Sequence, residues 1–255
     1  MSKPICFKIR GGVEREDGSR GSTNIGKTAG KGYLGQEDRA FTIGVAPIDV
    51  ARWIEPDELL APHLDEKERL LAARPHAVFR ETDGSRDAQA EALGLLVAHL
   101  AARFPRIYQQ AANRLHIAPC ARSVALDEDA APPLLTAARL VQEDLCLMRR
   151  DAGGWRLAAA ALCFPSGWSL AEKIGQDLAA IHAPVPGFAG RMEGVVARIF
   201  DNLRPDALVE RFNWSLYGDG RLHRAPDVAP NRFAEDLAET SLRIERQTLR
   251  RLPRS

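Results

Sequence analysis

Between residues 85 and 104 the apolar positions Leu93, Leu96, Val97 and Leu100 recur at three- and four-residue intervals, the spacing of one face of a helix. Pro105 closes that run. Beyond residue 140 the period changes to two. Val141, Leu145 and Leu147 alternate with polar neighbours up to Arg149, Asp151-Ala-Gly-Gly154 signals a turn, and Trp155–Phe164 reads as the returning strand of a β-hairpin. The alanines at 158–161 favour helix by propensity, but the Gly-Gly turn and the aromatic ends favour strand. Small residues there let a helix or a flat cofactor approach closely. After Pro165-Ser-Gly-Trp168 the period returns to that of a helix over Leu170–Ile181, with an apolar stripe of Leu170, Ile174, Leu178 and Ile181. Ser169 and Glu172 have the spacing of a capping box for it. His182 stands at its end, followed by Ala183-Pro184-Val185-Pro186-Gly187.

Around this block the signals are shorter. Phe41–Pro47 is strand-like, and Asp49 is placed to cap a turn toward Trp53. Pro56–Leu60 and Leu64–Arg74 read as short helices, the second with Leu64, Leu70 and Leu71 on its apolar side. His76–Arg80 reads as a brief strand, the polar stretch from Pro105 to Pro133 as a loop, and Phe212–Tyr217 as a strand. Residues 1–38 are rich in Gly and charge with few apolar positions after Ile9, which predicts a flexible tail before an ordered domain over 39–255.

Within that tail Gly21-Ser-Thr-Asn-Ile-Gly26-Lys27-Thr28 matches the phosphate-binding pattern G-x-x-x-x-G-K-[ST]. Its mechanism requires a buried strand before the loop and a helix after it. Glu14–Arg20 is too polar for the first and Ala29–Gly35 too glycine-rich for the second, so the match is read as chance. The chain has 255 residues, 45% hydrophobic and 27% charged, with net charge +1, which offers no electrostatic footprint for nucleic acid or an anionic membrane. The longest apolar run, Leu157–Phe164, is far too short to span a bilayer, and residues 1–30 lack the apolar region of a secretory signal. Cys6, Cys120, Cys146 and Cys163 are scattered without metal-ligand spacing, so reduced thiols and a cytoplasmic setting are expected, with Cys146 and Cys163 as buried small apolar residues.

His182 admits two readings. A helix-terminal histidine satisfies the last carbonyls and the helix dipole. Held on a stiff, proline-rich segment, it also suits an axial metal ligand. Several further motifs bear on the choice: Gln142-Glu-Asp-Leu-Cys-Leu147, Phe164-Pro-Ser-Gly-Trp168, Glu172-Lys-Ile-Gly175, Ile181-His-Ala-Pro-Val-Pro186, Glu210-Arg-Phe-Asn-Trp-Ser215 and Ile244-Glu-Arg-Gln-Thr-Leu249. In this order they resemble the haem-dependent oxidative N-demethylase-like family, with Phe41–Asp49 and Trp53 fitting its opening. The resemblance covers about Phe41 to Pro253.

The resemblance implies an α+β fold, a PAS-like antiparallel sheet with flanking helices enclosing a b-type haem. It implies oxidative removal of a methyl group from a small secondary amine such as dimethylamine, releasing formaldehyde. Electrons would come from NAD(P)H through a separate flavin and iron–sulfur reductase, since no such carrier motif appears in the chain. On this basis His182 is the iron ligand, Lys173 pairs with a haem propionate and Trp214 lies at the cofactor. Arg211 and Asn213 orient oxygen or substrate, and Glu245 holds the substrate ammonium or relays protons, unless an ion pair with Arg246 or Arg211 occupies it. The family's further apolar strand after the last motif is expected to be missing here, because the chain stops at Ser255. A haem-based PAS-like sensor and a haem-less structural or binding subunit are the alternatives.

Overall fold

In the computed structural model the described residues are the backbone of 5–14 and residues 44–127, 131–185, 188, 192–224 and 240–255. They form an α+β fold around an antiparallel seven-stranded sheet. Its strands are β1 (Ile5–Glu14), β2 (Ala46–Ile48), β3 (Phe79–Glu81), β7 (Asp144–Asp151), β8 (Gly154–Ala161), β9 (Leu208–Tyr217) and β10 (Ser241–Arg251), in the order β2-β9-β10-β1-β7-β8-β3. The expected hairpin is β7–β8. The expected tail contains β1, a strand between β10 and β7, and the phosphate-loop pattern at 21–28 lies outside the described residues.

Helices cover both faces of the sheet because side chains alternate along each strand. Leu145, Leu147, Ala159, Ala161 and Leu208 point to one face and pack with α1 (Leu60–Ala73), α3 (Arg86–Arg103) and α4 (Pro133–Ala138). Cys146, Met148, Leu157, Ala160 and Leu249 point to the other, against α5 (Leu170–Lys173), α6 (Leu178–His182) and α7 (Glu193–Asn202). Ala137 and Ala138 of α4 share the first core with Ala159 and Ala161, so the alanine run of β8 admits a close helix.

Several segments depart from expectation for identifiable reasons. The helix expected over Leu170–Ile181 is two short helices, and Ser169 makes no side-chain cap bond. Gly175 breaks it at φ +75° while its N–H donates to the Leu157 carbonyl at 2.8 Å and Leu157 N–H donates to Gln176 O at 3.0 Å. The edge of β8 thus takes the hydrogen bonds a continuous helix would have kept, and Asp177 caps α6 by accepting from Ala180 N–H at 2.8 Å. His76 lies in the short helix α2 (Pro75–Val78) rather than in a strand, because Pro75 is pre-set for a first helical turn. The expected loop after Pro105 contains a second sheet, β4 (Tyr108–Ala111), β5 (Arg114–Ile117) and β6 (Arg122–Ala125). It is anchored by buried Tyr108, Leu115 and Ile117, and the Tyr108 hydroxyl donates to the Leu140 carbonyl at 2.9 Å.

Candidate functional site

His182 is the last residue of α6. Its Nδ1 lies 2.8 Å from the Leu178 carbonyl, one turn back. A carbonyl can only accept, so Nδ1 carries the proton, and in the neutral ring the lone pair is on Nε2. Burial pushes the imidazole pKa down from its usual range, with the positive charges of Arg211 and Lys173 adding to that effect and the Leu178 bond opposing it. The ring stacks on buried Phe188, with centroids 4.3 Å apart and planes 13° from parallel. Plane and tautomer are therefore set, and burial favours the neutral ring. Lys173, at the end of α5, donates to the Ala180 carbonyl at 3.0 Å and ties α5 to α6.

Opposite residues of an antiparallel pair share a face. In β9–β10, Asn213 faces Glu245, Arg211 faces Gln247 and Val209 faces Leu249. Val209 and Leu249 pack in the same core as α5 and α6, so Arg211, Asn213 and Glu245 belong to the side of the sheet that carries His182 and Lys173. Trp214 faces Ile244 on the other side and is 65% exposed. Five of the six candidate residues thus share one side, and Trp214 does not join them.

Glu245 is buried and meets Arg243 rather than the expected Arg246 or Arg211, with Arg243 Nε 2.9 Å from Glu245 Oε1. The two atoms are in ionic contact without hydrogen-bond alignment. Arg246 pairs instead with Glu210, at 2.8 Å, on the opposite face. Arg243 also donates to Phe164 O at 2.6 Å and Leu222 O at 2.8 Å. Fully buried Asp144 accepts the N–H groups of Cys163 and Phe164, both at 2.8 Å. Desolvation raises its pKa to about 6 even though Lys67, Arg243 and the two N–H groups favour the charged form. A chain of buried polar groups therefore runs from Lys67 through Asp144 and Arg243 to Glu245, and holds the segment after β8 in place.

A family model described as "Haem-dependent oxidative N-demethylase, alpha subunit-like" matches residues 44–255. The chain belongs to this family. No curated protein matches it. The match takes in every candidate residue, and the setting of His182 fits the cofactor in the family's description. An axial ligand must offer a lone pair from a neutral ring, its other nitrogen bonded to a backbone acceptor, in apolar surroundings. His182 offers the Nε2 lone pair and a backbone-bonded Nδ1 from a half-buried ring packed on Phe188, with two cations nearby for a carboxylated macrocycle. Among the described residues no helix is long and apolar enough to cross a membrane.

A second histidine has comparable geometry and carried no sequence signal. His223 Nδ1 lies 2.8 Å from the Cys163 carbonyl, and its Nε2 is buried with no hydrogen-bond partner among the described residues. It lines two adjoining cavities, neither of which is lined by His182, Lys173, Arg211, Asn213 or Glu245.

Proposed function

We propose that the chain is the haem-containing oxygenase subunit of an oxidative N-demethylase, acting on a small secondary amine such as dimethylamine and releasing formaldehyde. The observation that carries this reading is the setting of His182: half-buried, its pKa pushed down by that burial, with Nδ1–H committed to Leu178 and the lone pair on Nε2. Haem b, when bound, supplies the oxygen activation that the side chains themselves lack, with electrons arriving from a separate flavin and iron–sulfur reductase that uses NAD(P)H. We place this work in the cytoplasm, in keeping with the cysteine usage.

His182 would hold the iron through Nε2, and the Phe188 stack keeps the ring from turning away. Lys173 provides positive charge on the same side for a propionate. Across the β9–β10 pair, Arg211 and Asn213 are the donors that orient oxygen or the amine, and Glu245 is the adjacent acceptor for a substrate N–H or a proton in transit. Arg243 lies beside Glu245 without hydrogen-bonding Oε1, which leaves that oxygen able to accept. Trp214 has no part in this arrangement, because its strand register turns it to the far face.

The test is formaldehyde release from dimethylamine by haem-loaded protein supplied with NADH and a flavin–iron–sulfur reductase. The proposal predicts one formaldehyde per amine consumed. Haem binding without turnover would transfer the chain to the sensor class, and failure to take up haem would remove both readings.

A further inference from the structure

Strand β9 is covered on its outer side only at its start. β2 pairs with Leu208, Val209 and Glu210, and among the described residues no strand lies beyond residues 211–217. That leaves about 24 Å of open edge, at about 3.4 Å per residue, along which every second residue turns its N–H and C=O away from β10. Burial changes abruptly across one strand spacing. On β10 Arg243, Glu245 and Arg246 are buried, whereas on β9 Phe212, Asn213 and Trp214 are exposed in succession, and so on both faces. The apolar residues fall on one of those faces: Phe212, Trp214 and Leu216 are 57%, 65% and 39% exposed. Single exposed apolar residues are ordinary, but a row of them along an unpaired edge is a template for another strand.

The sequence of this edge is its own complement. In an antiparallel pair of two copies with a twofold axis at Trp214, Phe212 faces Leu216 of the second copy and the two Trp214 side chains meet. On the other face Asn213 meets Ser215 and Arg211 meets Tyr217, so the one charged side chain of the stretch never opposes its like. Moving the axis to Phe212 would drive the second copy into β2, and moving it to Leu216 would run past the end of β9 at Tyr217. We infer that two copies of this chain associate through this edge, β9 against β9, extending the sheet across a twofold axis at Trp214. The same pairing sets Ser215 of the second copy beside exposed Asn213, on the side of the sheet that carries His182.

Sedimentation equilibrium of the full chain over about 1–300 µM measures the association. The wild type is expected to pass from monomer to dimer mass with no larger species. Trp214→Lys opposes two like charges on the axis and should weaken the dimer at least about tenfold. Phe212→Lys and Leu216→Glu should each weaken it about tenfold by removing an apolar cross-strand pair. The double variant Phe212→Lys/Leu216→Glu opposes unlike charges twice, so at low salt it should dimerise more tightly than either single variant. That gain should vanish in about 1 M salt, where screening is short-ranged. All three positions are exposed, and an unchanged far-UV circular dichroism spectrum shows that each variant keeps its fold. The inference is overturned if the wild type stays monomeric over this range, if Trp214→Lys dimerises like the wild type, or if the double variant is no better than the single ones. A chain that stays monomeric alone but binds a flavin–iron–sulfur reductase through the same residues would give the edge to that partner and overturn the inference as well.

Discussion

Replacing Arg243 with methionine tests what holds Glu245. The Arg243 side chain is 1% exposed and that of Glu245 6%. Arg243→Met removes donors from two carbonyls, Phe164 O at 2.6 Å and Leu222 O at 2.8 Å, and leaves the Glu245 carboxylate without its compensating charge. Hydrogen bonds to a charged group contribute about 1.5–3 kcal/mol each, and breaking a buried ion pair by removing one partner costs roughly 3–5 kcal/mol. The single substitution should therefore destabilise by about 3–5 kcal/mol, which is a large part of a domain's stability of roughly 5–15 kcal/mol. Glu245→Gln should cost less, about 1–3 kcal/mol, because Arg243 keeps its two carbonyls. In Arg243→Met/Glu245→Gln no buried charge is left unpaired, so the double variant should be more stable than the summed single effects predict by roughly 2 kcal/mol. Urea denaturation of all four proteins at constant pH measures the cycle. An Arg243→Met cost below about 1 kcal/mol, or additivity within about 0.5 kcal/mol, would refute the buried pair.

Two further predictions concern the frame of the site. Asp144 is fully buried and its pKa is raised from 3.8 to about 6, so over that window the folded protein binds a proton the unfolded chain has released. The contribution of Asp144 to stability should be most favourable below pH 4, fall by roughly 3 kcal/mol as pH rises to about 6, at about 1.36 kcal/mol per unit, and level off above it. Comparing urea midpoints across this range, Asp144→Asn should lack that contribution to the slope, and an identical slope in both proteins would contradict the assignment. Gly175 has φ +75°, where a β-branched side chain is strained. Gly175→Val should lower stability by about 1–3 kcal/mol in thermal unfolding, and an unchanged midpoint would mean that the break between α5 and α6 does not depend on this conformation.

The parts of the fold that could be read in advance are those whose side-chain period is decided locally. β7–β8 alternates around a Gly-Gly turn, and α3 repeats Leu93, Leu96, Val97 and Leu100 on one face. The helix over 170–181 looked equally regular. Its interruption depends on Leu157, a strand residue whose N–H and carbonyl bind the intervening segment. The second sheet was hidden because Gln109, Gln110 and Arg114 are exposed and polar, leaving only alternate apolar residues to mark it. β1 carries Gly11 and Gly12 in its interior and draws its hydrogen bonds from distant β10 and β7.

At the site, the motif order identified the family and brought out His182. What it could not convey was the tautomer, which rests on the Leu178 carbonyl, or the plane, which rests on Phe188. The Glu245 partner was accessible: Arg243, two residues earlier on the same strand, necessarily shares its face, whereas Arg246 does not. Trp214 is excluded by the same alternation once Glu245 is paired with Asn213. His223 was not accessible, because its geometry depends on a carbonyl 60 residues away.

The central claim is that His182 holds haem iron through Nε2, and a haem titration of the wild type beside His182→Ala tests it most directly. The wild type should develop a Soret band that saturates at one haem per chain. His182→Ala, with its far-UV circular dichroism unchanged, should lose the band or bind haem at least tenfold more weakly with a shifted maximum. An identical band of identical affinity in the two proteins would contradict the account.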